Sequence, residues 1–152
     1  MLTRYQAKVI LLTRRNLPKL VVSWLNAERI YQATGDWNLY PPAKPMPSFA
    51  VDLKIFDRRL RLVSEGRSRL CDYVNSLELP TLELVYEDFL LDQAEAYGRV
   101  FNFLGVADTP VSGNCVKATD DDLRNIILNF DDLKLQYLGT TYQQMLEEVL
   151  IR

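Results

Sequence analysis

The sequence of residues 8–23 is KVILLTRRNLPKLVVS, and two elements can be recognised in it. Residues 8–13 (KVILLT) form a short apolar run bounded by basic residues, which is typical of a strand buried on both faces in a parallel sheet. Asn16 can cap a helix, and Pro18 is tolerated in a first helical turn, where its missing N–H costs no hydrogen bond. This stretch therefore predicts a strand that turns directly into a helix.

The segments that follow alternate between helix and strand. Gly35 is expected to end the first helix, and four prolines make residues 36–48 an extended loop. Residues 49–77 keep a helical apolar spacing interrupted at Gly66, which predicts either one long helix or two. Pro80 ends this region, and residues 82–86 form a second predicted strand. The apolar face of the first helix is expected to comprise Leu17, Leu20, Val21, Trp24, Ala27, Ile30 and Tyr31.

The C-terminal part of the chain is predicted to contain only helices. Asp92 followed by Glu95 is a capping pattern for a helix that Gly105 would close. The same pattern recurs at Thr119 and at Thr141, each before an apolar run, which predicts two or three short helices.

A strand, crossover helices, a second strand and a helix make a right-handed βαβ unit, so the expected fold class is α/β over one domain, residues 1–152. Two parallel strands are too few, because such strands need neighbours in the sheet and cover on both faces. We therefore expect either pairing with a second copy of the chain or a partial sheet that lacks material of a larger domain.

Composition excludes several classes of protein. With 48% hydrophobic and 25% charged residues, the chain is typical of a globular protein, and a cytoplasmic location without membrane association is expected. Cys71 and Cys115 are predicted to be buried apolar side chains, with no metal site.

The charges are unevenly distributed along the chain. Residues 1–70 hold 13 Lys and Arg against 5 Asp and Glu, and residues 71–152 hold 5 Lys and Arg against 15 Asp and Glu. The first half could face an anion, or the two halves could complement each other.

Arg15 and Ser23 form a candidate phosphate site. A helix N-terminus offers N–H groups and partial positive charge, arginine offers a planar fork to phosphate oxygens, and serine adds a hydroxyl donor. The alternative is that Arg15 pairs with a carboxylate of the acidic half and Ser23 only occupies the helix.

Three blocks of sequence resemble the sulfotransferases that use 3′-phosphoadenosine 5′-phosphosulfate (PAPS). Arg15 and Ser23 have the spacing of that family's 3′-phosphate-binding strand and helix, residues 84–89 (LVYEDF) resemble its later strand, and residues 100–106 (VFNFLGV) resemble its Phe-Leu-Gly segment. The blocks occur in the family's order, and residues 117–142 resemble the C-terminal region of its bacterial members. The resemblance implies a P-loop-like sulfotransferase fold of which this chain is the C-terminal half.

The resemblance also implies roles for individual residues. Arg15 and Ser23 would bind the 3′-phosphate of PAPS or of adenosine 3′,5′-bisphosphate, and Lys117 is a weaker third candidate whose alternative is an ordinary solvated lysine. Tyr86, Glu87 and Asp88 would be structural, with side chains bonded to backbone groups at the strand end. The resemblance identifies neither a catalytic residue nor the acceptor.

The family's phosphosulfate-binding loop and its usual base belong to a region that this sequence does not contain. The chain alone is therefore expected to be inactive unless a complementing N-terminal half supplies the loop, and a homodimer is a secondary hypothesis. Two other functions stay open. One is a non-catalytic nucleotide-binding or interaction subunit of the same fold. The other is a polyanion-binding module using Lys54, Arg58 and Arg61 on one helix face, although the sequence pI of about 5.2 makes nucleic acid an improbable partner.

Overall fold

The computed structural model describes residues 6–113 and 115–149, which group into two compact units. The sheet unit contains residues 6–15 and Ser64–Val111, and the helical unit contains Asn16–Val63 and residues 112–113 and 115–149. Strands and helices follow each other as the α/β prediction requires, whereas the single domain over residues 1–152 stays a prediction. The elements are β1 (Val9–Thr13), α1 (Leu17–Thr34), α2 (Leu53–Ser76), β2 (Thr81–Val85), α3 (Tyr86–Leu91), α4 (Gln93–Leu104), a 3₁₀ turn (Leu123–Asn125), α5 (Phe130–Gln136) and α6 (Thr141–Glu147).

The sheet consists of β1 and β2, which run parallel in a register that begins with Val9 opposite Thr81. Within the described residues no third strand joins them. The prediction that β1 is buried on both faces is wrong: Leu11 is buried, but Ile10 is 40% exposed and Leu12 is 54% exposed. An apolar strand is buried only where a second layer covers it, and no described part of the sheet unit covers these two side chains.

Helix α1 is capped as its sequence predicts. The Asn16 side chain accepts a hydrogen bond from the Lys19 N–H at 2.9 Å, and Gly35 ends the helix at a φ of +82° with its N–H bonded to the Tyr31 carbonyl. The predicted apolar face is only partly correct. Leu17, Val21 and Ile30 are buried, whereas the two large aromatic side chains of that face, Trp24 and Tyr31, are exposed.

Helix α2 continues through Gly66, so the region predicted as one helix or two is a single helix. It begins at Leu53, four residues later than predicted, and the chain passes from the helical unit to the sheet unit within it. Leu70 and Tyr73 belong to the helical apolar spacing that predicts this region, yet both are exposed, and Val74 is buried instead.

The sheet unit is completed by α3 and α4. Strand β2 ends at Val85, and Tyr86, predicted to be its last residue, begins the unpredicted helix α3. The predicted caps of α4 are confirmed, since the Asp92 side chain accepts from the Glu95 N–H at 2.9 Å and Gly105 ends the helix at a φ of +75°.

The helical unit contains a hydrophobic core drawn from α1, α2 and the C-terminal elements. The predicted tail of two or three short helices is confirmed, but its caps are shifted. Asp122 rather than Thr119 caps the 3₁₀ turn, and Thr140 rather than Thr141 precedes α6. The buried side chains of this core are Leu17, Val21, Val22, Val51, Phe56, Leu60, Leu123, Ile127, Phe130, Leu133, Tyr137 and Leu146.

Among the described residues, no helix is both long and apolar enough to cross a bilayer.

Candidate functional site

The carboxyl ends of β1 and β2 bring two charged segments together in the sheet unit. Because the strands are parallel neighbours, the residues that follow each of them lie at the same edge of the sheet. Arg14 and Arg15 follow β1, and Tyr86, Glu87 and Asp88 begin α3 directly after β2. Two arginines of the basic segment, residues 1–70, therefore lie beside two carboxylates of the acidic segment, residues 71–152.

Glu87 lies at the centre of this arrangement and is 1% exposed. One of its carboxylate oxygens accepts a hydrogen bond from the backbone N–H of Arg15 at 2.9 Å, and the other lies 3.7 Å from Nε of Arg14. Its charge also lies in the first turn of α3, but a six-residue helix provides only a small dipole. The predicted structural role of Glu87, a side chain bonded to the backbone at a strand end, is confirmed.

The Arg14 guanidinium is held against the same strand end. Its central carbon lies 4.6 Å from the centre of the Tyr86 ring, a cation–π distance, and its side chain is 19% exposed. Arg14 is thus engaged by both Glu87 and Tyr86.

Arg15 is placed differently, because its guanidinium extends to the surface. Its Nη2 donates to Oδ1 of Asp88 at 2.6 Å, and both side chains are 55% exposed. Pairing with a carboxylate of the acidic half, the alternative raised by the sequence, is therefore confirmed. An exposed ion pair of this kind contributes about 0.2–1 kcal/mol, so a more highly charged phosphate could displace the Asp88 carboxylate at little cost.

The other two predicted phosphate ligands belong to the helical unit. Ser23 is half-buried in the second turn of α1. Lys117 forms an ion pair with Asp121 and lines a cavity of about 370 Å³ together with Asp120. These two carboxylates would repel a phosphate, so the surroundings of Lys117 favour an ordinary surface lysine over a phosphate ligand. The three predicted ligands are not brought together within one unit.

Two of the four basic residues that α2 contributes to the helical unit form ion pairs with acidic side chains. Arg59 makes a bidentate pair with Glu28, with both N–O distances 2.8 Å, and its guanidinium lies 4.3 Å from the Trp24 ring centre. Arg61 pairs with Asp57 at 2.7 Å. These contacts explain much of the positive charge without a polyanion.

Lys54 and Arg58, the other two members of the predicted polyanion face, are exposed. Nothing in their positions selects a polyanion over solvent.

Sequence reasoning missed Asp88 as the partner of Arg15. The available signal was that β1 and β2 are each followed by charged residues. Only the register of the two parallel strands shows that Arg15 and Asp88 lie side by side. It also missed a second role of Asn16, whose side-chain amide donates to the Met145 carbonyl and to the Glu148 carboxylate, both at 2.6 Å.

The described residues contain no group of three His, Cys, Asp or Glu side chains that could hold a metal ion. The cysteines are free thiols. Cys71 is half-buried and Cys115 is exposed, so their predicted burial is wrong for Cys115 and only partly correct for Cys71.

Comparison of the chain with protein-family models, with curated proteins and with solved structures finds no match.

Proposed function

We propose that the chain binds the 3′-phosphate of an adenosine nucleotide through Arg15, as part of a P-loop-like sulfotransferase fold. In the complete enzyme, the bound nucleotide would be PAPS, and a sulfuryl group would pass to a hydroxyl or amine acceptor. The observation that carries this proposal is the half-exposed Arg15 guanidinium at the carboxyl end of β1, whose ion pair with Asp88 lies at the surface. Ligands of open α/β sheets bind at the carboxyl ends of parallel strands.

The arrangement of the resembling blocks supports the proposal. The strand part of the first block (residues 8–15) and the blocks at residues 84–89 and 100–106 belong to the sheet unit, whereas residues 16–23 of the first block belong to the helical unit. The second block contributes the carboxylates that contact Arg14 and Arg15, and the third contacts the start of the first, where Lys8 Nζ donates to the Phe103 carbonyl at 2.6 Å. Blocks with the order of the family are thus joined by direct hydrogen bonds.

The proposed role of this chain is binding rather than catalysis. Sulfuryl transfer breaks the bond between sulfur and the bridging oxygen of the cofactor's phosphosulfate, forms a sulfur–oxygen or sulfur–nitrogen bond to the acceptor, and needs a base for the acceptor's proton. The chain contains no histidine, and Glu87 is buried and bonded to a backbone N–H. These facts favour the non-catalytic nucleotide-binding subunit as the role of the isolated chain.

Isothermal titration calorimetry with adenosine 3′,5′-bisphosphate tests the proposal. We expect saturable binding by the wild type. Arg15→Ala should bind at least about tenfold more weakly than the wild type, because a charge-assisted contact to phosphate contributes about 1.5–3 kcal/mol. Arg67→Ala, which removes an exposed arginine of the same unit, controls for the loss of one charge. Equal loss in both variants, or no binding by the wild type, would overturn the proposal.

A transfer assay with PAPS and a panel of hydroxyl and amine acceptors tests the catalytic part. The isolated chain is expected to show no turnover above background. Robust turnover would show that the chain contains its own base and would contradict a purely binding role.

A further inference from the structure

A cleft in the sheet unit lies between α4 and the loop that follows it. It has a volume of about 560 Å³, within the range of small-molecule sites, and is open to solvent. Most of its lining is apolar or aromatic. The residues that line it include Tyr97, Gly98 and Phe101 of α4 and Asp108 and Val111 of the loop.

Two aromatic rings one helical turn apart line the cleft. The Tyr97 and Phe101 ring centres are 6.4 Å apart with planes inclined by 24°, and Phe89 meets Tyr97 edge-on with centres 5.3 Å apart. Edge-to-face contact is a favourable geometry for aromatic rings and fixes the orientation of Tyr97. The π-faces of such rings attract cations.

The cleft carries negative charge. Among the described residues that line it, Asp108 is the charged one, and Gln93, Thr109 and the Tyr97 hydroxyl are neutral polar groups. The two charged residues of α4, Glu95 and Arg99, are not among the lining residues. A ligand bound here therefore meets aromatic surface, the Asp108 carboxylate and the neutral hydrogen-bonding groups of Gln93, Thr109 and Tyr97.

We propose that this cleft binds a small organic monocation, a primary or quaternary ammonium group on an aromatic or aliphatic body. The body contacts Tyr97 and Phe101, and the ammonium group lies beside the Asp108 carboxylate. An anion would be repelled by Asp108, and a neutral ligand would gain from the rings alone. This site is independent of the nucleotide site proposed at Arg15.

Gly98 provides a selective way to fill the cleft. A Cβ added at Gly98 meets no atom within 4 Å outside its own helix backbone, and Gly98 lines the cleft, so we expect a leucine side chain there to occupy cleft volume. Gly66 of α2 is likewise open, lies in a helix of the same unit and does not line the cleft. Gly98→Leu and Gly66→Leu are therefore matched variants, both expected to fold because leucine favours helix over glycine.

The test is a titration of the full-length chain with 2-phenylethylammonium, followed by backbone amide chemical shifts. We expect saturable shifts confined to residues around Gly98 and Val111. Binding of the neutral isostere 2-phenylethanol should be about fivefold weaker, and 3-phenylpropionate should not bind. Asp108→Asn should weaken amine binding about two- to fivefold and leave alcohol binding unchanged.

Gly98→Leu should abolish amine binding, whereas Gly66→Leu should retain it. Equal affinity for the amine and the alcohol would overturn the proposal, as would amine binding that survives Gly98→Leu. Shifts that map to other residues, or no saturable shifts in the wild type, would overturn it as well. None of these outcomes depends on nucleotide binding at Arg15, so the two proposals fail separately.

Discussion

The backbone N–H of Arg15 donates a 2.9 Å hydrogen bond to the Glu87 carboxylate, which joins the residue after β1 to the start of α3. This bond crosses 72 positions of sequence and leaves the Arg15 side chain directed to the surface. The backbone of Arg15 thus binds Glu87, whereas its side chain binds Asp88 at the surface.

Removing the Glu87 carboxylate should destabilise the protein strongly. Glu87→Ala removes a buried carboxylate that accepts from the Arg15 backbone N–H and pairs with Arg14, so we expect the free energy of unfolding to fall by about 3 kcal/mol. Asp88→Ala removes the neighbouring but exposed carboxylate and should cost about 1 kcal/mol or less. Urea unfolding followed by circular dichroism measures both, and equal losses would contradict the structural role of Glu87.

The Asn16 cap should contribute more than an ordinary cap. Besides accepting from the Lys19 N–H, its amide donates to the Met145 carbonyl and to Glu148, so Asn16→Ala should cost about 2–3 kcal/mol. Asp92→Ala, which removes a cap with a single bond, should cost about 1 kcal/mol. If the two variants lose the same stability in urea unfolding, the donor contacts of Asn16 contribute nothing.

Ionisation of Tyr137 should lower the free energy of unfolding at alkaline pH. Burial raises the pKa of its hydroxyl, and the nearby Asp57 carboxylate, to which it donates at 3.2 Å, raises it further. Because the pKa is higher in the folded than in the unfolded chain, the neutral phenol stabilises the fold below an unfolded tyrosine's pKa of about 10. That contribution is lost as pH rises above this value.

The Tyr137→Phe variant should therefore lose less stability than the wild type between neutral and strongly alkaline pH, although it is about 1 kcal/mol less stable at pH 7. Unfolding curves at a series of pH values measure the difference. Tyr31→Phe removes the hydroxyl of an exposed tyrosine and is the matched control variant.

Two glycines should respond to alanine with opposite signs. Gly35 has a φ of +82° at the end of α1, where an L-residue is strained, so Gly35→Ala should cost about 1 kcal/mol. Gly66 lies inside α2 with open space at its Cβ position, so Gly66→Ala should add about 0.5–1 kcal/mol. Thermal unfolding of the two variants gives the signs directly, and a stabilising Gly35→Ala would contradict the cap geometry.

Affinity for nucleotide at the proposed Arg15 site should rise when the Asp88 carboxylate, which competes with phosphate for Arg15, is neutralised. Asp88→Asn abolishes the carboxylate charge that holds Arg15 and should tighten adenosine 3′,5′-bisphosphate binding about two- to fivefold. Calorimetry at two salt concentrations checks this, and an Asp88→Asn variant with weaker binding would argue against Arg15 as the ligand.

Local signals explain the successful part of the sequence reading. The caps at Asn16, Gly35, Asp92 and Gly105 depend on one side chain or one backbone angle within a few residues, and all four are confirmed. The two strands were also located to within a residue or so, because short apolar runs bounded by charges or proline admit few alternatives.

Burial was harder to predict because it depends on the opposing surface. Leu12 and Tyr73 have the apolar character and spacing of core residues, yet both are exposed. Helix α3 was missed because Val85, which precedes it, supplies no side-chain cap for a sequence pattern to reveal. The ion pair of Arg15 with Asp88 required the strand register, which no local pattern contains.

The placement of both tryptophans in one unit has a spectroscopic consequence. The chain has two tryptophans, Trp24 and Trp37, and both belong to the helical unit. Tryptophan emission therefore reports on the melting of that unit alone, whereas backbone ellipticity reports on both units. Coincident melting curves from the two signals would show that the units unfold in one cooperative transition, and separate midpoints would show that each unfolds by itself.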